Sequence, residues 1–267
     1  MNFFKVKTVC IARCKNEIVN IERWIESLPF IDLFCITDNG STDGTYEYLK
    51  KIDNVLVTRV EGFDEGRDFQ ILLNMAKAHQ PEWILKIDCD EFFMDEIRNK
   101  INSLLNQKEY DAIIFRKISK HYSVDQDHCL LTREYRNGGV YFARNNKNLS
   151  ILNKKIHVGG FIFHGRCAIS SALIEHNWIS SNEDAITRFE TYSEVDSSKV
   201  YKVRNIVDKS LFVPVKDVYG NKYKSLRSYG VDLLDANRKK IIIKKAIKNK
   251  TFFVKTLKNF IFKIILF

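Results

Sequence analysis

A chain of 267 residues that is 45% hydrophobic and 12% aromatic has ample material for a large buried core, which excludes intrinsic disorder. Only 3 prolines and 11 glycines are present, too few for a long flexible linker, and no segment is repeated or of low complexity. The formal charge of +10 resides in residues 238–267, which hold ten basic side chains and no acidic one, so the remainder is neutral and lacks the basic surface that tracking of nucleic-acid phosphates needs.

Residues 5–13, KVKTVCIAR, form an apolar run rich in β-branched side chains and read as a buried strand. Asn16 is placed to cap a helix whose apolar positions Ile18, Ile21, Trp24, Ile25 and Leu28 fall at helical spacing and which Pro29 ends. LFCIT at 33–37 is a second strand, running into the polar turn DNGSTDGT, where Thr42 or Asp43 caps a short helix through Lys51. VLVTRV at 55–60 supplies a third strand, 68–79 a helix, and 83–87 a fourth strand ending in the acidic cluster DCDEF. A helix over 95–107 leads into the strand DAIIFRKIS. This alternation predicts an α/β fold, Rossmann-like, with a mostly parallel sheet and helices on both faces. Residues 121–180 then alternate short apolar runs with Gly and Asn, IHVGGFIFHG and AISSALIEHNW being the most strand-like, and 181–196 reads as helix.

The cysteines, Cys10, Cys14, Cys35, Cys89, Cys129 and Cys167, lack the paired spacings of a zinc site and the density of a disulfide scaffold. Buried thiols in a reducing compartment are expected. The first residues, MNFFKVKTVC, lack a signal-peptide core, and a cytoplasmic protein is expected.

In open sheets of this kind ligands bind outside the carboxyl ends of the strands, where RCKNE, DNGSTDGT and DCDEF fall. Alternation along an extended backbone places Asp88 and Asp90 on one side. Two neighbouring carboxylates repel unless a cation lies between them, and oxygen ligands suit magnesium or manganese. In the second cluster Gly40 and Gly44 permit a tight turn, and Asp38 can accept from a base or ribose group. Taken singly, each cluster is as readily a solvated turn or an ordinary cap.

Taken in order, ARCKNE at 12–17, TDNGSTDGT at 37–45, Arg67 with Gln70 and Asn74, and KIDCDEF at 86–92 resemble the family 2 glycosyltransferases of the GT-A fold, especially bacterial enzymes that build surface polysaccharides. The resemblance covers residues 5–120 and extends weakly to 195. It implies a catalytic domain over 1–197, with a nucleotide-binding half at 1–120 and an acceptor half at 121–197, then an extension at 198–237 and a tail at 238–267. By that resemblance Arg13 and Lys15 border the nucleoside, Asp38 binds the base, commonly uracil, and Arg67 meets the donor. Asp88 touches ribose or metal, and Asp90 ligates the metal that holds the diphosphate. Asn39 stands where many relatives carry a second Asp, which leaves the base open.

His176 is similar to a histidine that closes over the metal in some members, with Trp178 placed to pack above it; His157 and His164 rank below it. The implied activity is transfer of a sugar from a nucleoside-diphosphate sugar, UDP-linked first, to a hydroxyl of a glycan or lipid-linked acceptor, with Mn2+ or Mg2+ and with inversion. Inversion needs a general base near the acceptor, and Glu91, Asp127, Glu134 and Glu175 are the candidates. The rivals are a nucleotidyltransferase or phosphotransferase using the same carboxylates, and a non-enzymatic membrane-binding module.

In the tail, Ile243, Ile247, Val254, Leu257 and Ile261 form a helical stripe bordered by Lys244, Lys248, Lys255 and Lys258. Lysines interrupt the most apolar part, so a transmembrane helix is not expected. An amphipathic helix in the interface of an anionic membrane fits, as does one packed on the domain, and a peripheral attachment to the cytoplasmic membrane face is expected.

Overall fold

Alternation along one strand decides how the layers build. β1 (Thr8–Cys14) turns Cys10, Ala12 and Cys14 to one face and Val9 and Ile11 to the other, and all five are buried. The first face is covered by α1 (Ile18–Glu26) through Ile21 and Trp24 and by α2 (Thr45–Leu49) through Leu49. α3 (Glu65–Ala78) covers the second with Phe69, Leu72, Leu73 and Ala76. A strand buried on both faces has to read as a continuous apolar run, which is why β1 was legible. The computed structural model describes residues 6–94, 101–121, 127–130, 140–155, 158, 160–163, 165–179, 186, 190, 193, 212–214 and 233–235.

β2 (Leu33–Asp38), β3 (Val55–Arg59) and β4 (Trp83–Lys86) run parallel to β1 in the order β4, β1, β2, β3. Past β4 the sheet continues through β8 (Val140–Arg144), β6 (Ala112–His121), β7 (His128–Leu130) and β10 (Phe212–Pro214). On this path only β7 and β8 run against the rest, so the sheet is mostly parallel, as the sequence predicts. β9 (Cys167–Ile179) lies parallel to β6 and carries β5 (Glu91–Phe93) and β11 (Leu233–Asp235) antiparallel on it. β10 and β11 come from the 198–237 stretch, which thereby contributes strands to the same sheet.

The helix expected over 95–107 is described as α4 (Ile101–Asn106), whose Ile101, Leu104 and Leu105 join the core on the α1 side. Trp83 anchors it: the indole Nε1 donates to the Leu105 carbonyl at 3.0 Å, and the ring stacks on Phe142 with centroids 5.0 Å apart. α3 begins earlier than its apolar spacing suggests. Asp64, in extended backbone, accepts from the Arg67 N–H at 2.9 Å, and Glu65 and Asp68 place acids in the first turn, where the helix dipole favours them. Gly66 in that turn is required by close approach, since a Cβ there would lie 2.6 Å from the Lys154 nitrogen. AISSALIEHNW falls in β9. Of 181–196 only 186, 190 and 193 are described, each helical. Cys10, Cys14, Cys35, Cys89 and Cys129 are buried free thiols. Glu134, His157, His164 and the tail at 238–267 lie outside the described residues. No helix among the described residues is long and apolar enough to cross a membrane.

Candidate active site

The carboxyl ends of β1 and β2 are joined by hydrogen bonds between their loops. The first helical N–H groups of α1 have no intrahelical acceptor, and the DNGSTDGT turn supplies one. Ile18 N–H donates to Asp43 Oδ2 at 3.0 Å, Glu17 N–H to Thr45 Oγ1 at 2.9 Å, and Asn16 N–H to Ser41 Oγ at 2.8 Å. Asn16 does not cap α1 as expected: it sits at φ 56 and its Oδ1 accepts from the Thr42 N–H at 2.9 Å. Asp43 therefore serves both helices, since the Thr45 N–H and hydroxyl also donate to its Oδ1. Burial pushes its carboxyl up, but these hydrogen bonds outweigh it and hold the group below its usual value. Gly44, at φ 95, gives the left-handed residue that starts α2.

Asp38 is fully buried at the end of β2, where Oδ1 accepts from the Gly40 and Ser41 N–H groups at 3.2 and 3.1 Å and from Arg59 Nε at 3.2 Å. In this arrangement it organises the loop. Lys15 is exposed one turn away.

Asp68 ties together Arg13 and Arg67, two of the residues that resemblance places at the nucleotide, and Asn39. It is fully buried, and its oxygens accept from Arg13 Nε at 3.1 Å, Asn39 Nδ2 at 2.9 Å and Arg67 Nε at 2.9 Å. Arg13 is further enclosed by the Phe63 ring, 4.5 Å from its guanidinium, and by Glu65 at 3.7 Å. Burial pushes the Glu65 carboxyl up against the pull of Arg13 and of the Val158 N–H. Sequence reasoning missed Asp68 because two of its three partners, Arg13 and Asn39, lie on segments distant in sequence.

The acidic cluster is a turn. β4 stops at Lys86, and the Glu91 N–H donates to the Asp88 carbonyl at 3.0 Å, so strict alternation does not extend through Asp88 and Asp90. Cys89 Sγ donates to the Arg13 carbonyl at 3.4 Å, which fixes this turn against the end of β1. The chain then pairs with β9 so that Glu91 lies opposite His176, Phe92 opposite Glu175 and Phe93 opposite Ile174. His176 Nε2 lies 3.6 Å from Asp90 Oδ2, and one ligand atom from each of Asp90, Glu91 and His176 falls within 4.8 Å of the others. Two carboxylates and an imidazole at that spacing fit a divalent cation bound about 2 Å from each. Asp88 is not in this group; its N–H donates to Glu91 Oε2 at 3.1 Å. Asp90 and Glu91 are 5% and 2% exposed, so the cluster is largely shielded from bulk water.

Glu91 is also met by Lys117, whose Nζ donates to its Oε1. Burial pushes the Glu91 carboxyl up, against the pull of that ammonium. Lys117 was legible only as a charge in the apolar run DAIIFRKIS. Glu175 is not brought to the cluster. Paired residues of antiparallel strands share a face, so Glu175 follows Phe92 to the side away from His176, where Arg23 NH2 donates to it at 3.3 Å. Asp127 is exposed just ahead of β7.

No protein-family model matches this chain, and no curated protein sequence does. Among solved structures it is similar to TarS 1–349 of S. aureus in complex with UDP-GlcNAc, at 20% identity and a TM-score of 0.37, over 45% of this chain and 37% of that one. The same TarS fragment in complex with UDP gives 20% identity and a TM-score of 0.37 over 45% and 38% of the two chains. A mycobacterial protein gives 14% identity and a TM-score of 0.35 over 52% and 53%. This chain thus spans little more than half of the length of those chains, or less.

Proposed function

We propose that this chain is a metal-dependent nucleotide-sugar glycosyltransferase. The observation that carries the reading is the Asp90, Glu91 and His176 cluster, set at the carboxyl end of β4 against the loop that Arg13, Asn39, Asp68 and Arg67 organise. A ligand there meets a potential cation site for its diphosphate on one side and, on the other, the guanidinium donors of Arg13 and Arg67 for its nucleoside. A bound divalent cation supplies positive charge for the departing diphosphate. Asp90 and His176 would hold it, manganese before magnesium because one donor is an imidazole nitrogen. Lys117 and the Asp88 N–H hold Glu91, which makes it a support for the turn rather than the general base. Arg13 and Arg67, with Lys15, border the nucleoside, and Asp88, outside the metal cluster, meets the ribose. Asp38 keeps the base-side loop in shape.

The donor is a UDP-sugar, transfer is with inversion, and the acceptor is a glycan or lipid-linked hydroxyl, all on the sequence resemblance. Residues 238–267 attach the enzyme to an anionic membrane surface. The test is a thermal-shift screen of nucleoside diphosphates with and without Mn2+. A ligand that binds only the folded protein at 100 times its Kd adds about 2.7 kcal/mol of stability, a readily measured rise in Tm. UDP is expected to raise it in the presence of Mn2+. If no nucleoside diphosphate does so under either condition, the proposal is wrong. Release of pyrophosphate rather than nucleoside diphosphate during turnover points instead to a nucleotidyltransferase.

A further inference from the structure

Lys86 ends β4 and is 8% exposed, an unusual place for a lysine. Ile84, two residues before it, packs on the α3 side of the sheet, while Trp83 and Leu85 pack on the α1 side. Alternation therefore turns Lys86 toward α3, and its ammonium lies 4.0 Å from the centroid of the Phe69 ring. Among the described residues that ring is its one close partner: no carboxylate, carbonyl or hydroxyl accepts from it, and Glu65 acts on it only through space. An ammonium offers three donors and no acceptor, and this one is not among the fully buried atoms that lack a partner, so its donors reach solvent at the carboxyl end of β4. They are open there to an oxygen from outside the chain.

The surroundings select the kind of acceptor. Arg13, Arg67 and Lys86 supply three positive charges near the ends of β1 and β4, and Glu65, Asp68 and Asp88 supply three negative ones. That balance leaves no positive excess for a phosphate, whereas a neutral oxygen needs only the N–H groups. In a nucleoside diphosphate the neutral acceptors are the keto oxygens of the base and the ribose hydroxyls.

We infer that Lys86 is a nucleotide-binding residue whose ammonium donates to a neutral oxygen on the nucleoside half of the donor. This rests on the nucleotide-sugar reading above. It adds a discriminating contact, because a group that can only donate accepts a keto base and rejects an exocyclic amino group in the same position.

The experiment is isothermal titration of wild type and Lys86→Met, in Mn2+, with UDP, CDP, 2′-deoxy-UDP and inorganic pyrophosphate. The Met chain fills the same groove over Phe69, so the variant is expected to melt no lower than wild type; should it fail to fold, Lys86→Gln takes its place. UDP binding is expected to weaken about tenfold or more, the scale of one charge-assisted hydrogen bond, while pyrophosphate binding stays within about twofold. Whichever of CDP and 2′-deoxy-UDP already binds weakly to wild type and loses nothing further in the variant identifies the oxygen. Unchanged UDP affinity overturns the inference, and so does an equal loss for pyrophosphate, which makes Lys86 a phosphate ligand. A wild type that binds no nucleoside diphosphate at all removes the parent reading itself.

Discussion

Replacing Asp68 by Ala tests how far one buried carboxylate holds the nucleotide edge together. The side chain is fully buried and bridges the end of β1 through Arg13, the end of β2 through Asn39, and α3 through Arg67. Arg67 is 42% exposed and can rehydrate, so its share is small, about 0.5 kcal/mol. Arg13 is only 13% exposed, and removing its partner leaves a guanidinium that water scarcely reaches. Breaking a buried pair in this way costs about 3–5 kcal/mol. Arg13 keeps Glu65 at 3.7 Å and Asn39 Oδ1 at 3.4 Å, which puts the value near the lower end. The lost acceptor for Asn39 adds about 1 kcal/mol, for a total of about 4.5 kcal/mol. Urea denaturation reads this as a fall in midpoint at constant slope. In an Arg13→Met background the same replacement should cost about 2 kcal/mol less, because the stranded charge is gone. A loss below about 1 kcal/mol, or no coupling between the two sites, would refute the assignment of Asp68 as the hub.

Asp90→Asn and His176→Ala should each weaken Mn2+ binding, followed by the spectrum of free Mn2+, about tenfold or more, while Glu175→Gln on the opposite face leaves it unchanged. Asp43→Ala removes an acceptor from the start of both α1 and α2 and should cost about 1–2 kcal/mol at neutral pH. Because the folded carboxyl of Asp43 titrates below its usual 3.8, its contribution is present above that pH and lost as pH falls through the folded value. The gap in Tm between wild type and Asp43→Asn should therefore close in acid; a gap that widens contradicts the sign. Ending the chain after Asn237 keeps β11 on β9 and removes the ten basic residues that follow, each worth about 1 kcal/mol at an anionic surface. Such protein should fail to sediment with anionic vesicles that retain the full chain at low salt, and the tail has no such role if both forms behave alike.

Much of the parallel half was legible because β1, β2 and β4 are buried along nearly their whole length, the edge strand β3 is rich in β-branched residues, and α1 and α3 each show one apolar stripe. Those are local patterns, and they put β1 through β4 close to their places. The other half is assembled by pairings distant in sequence: β8 inserts between β4 and β6, and β9 gathers β5, β6 and β11. No local period announces such partners. The same reason separates the site residues. Asp90 and His176 followed from motif and resemblance, but Asp68, Lys86 and Lys117 act through residues on other elements and show in sequence only as charges in buried runs. Asp88 and Asp90 were expected to share a side by strand alternation, and a turn replaced it.

What brings His176 to Asp90 is register, and the register is set by apolar packing nearby. A slip of one residue between β5 and β9 would turn Glu175 toward the acidic turn and send His176 to the side of Arg23. Phe93 opposes Ile174 in the core, and its ring meets Phe30 and Phe115 edge-on at 5.5 and 5.0 Å. In the slipped pairing Phe93 would leave those rings, and burial of a side chain that size is worth about 2–3 kcal/mol. The Asn177 N–H donating to the Asp90 carbonyl at 2.8 Å fixes the other end of the pairing. The cluster thus owes its geometry to an apolar contact two residues away: Glu91 and His176 lie on paired strands, and Asp90 sits in the turn that leads directly into them.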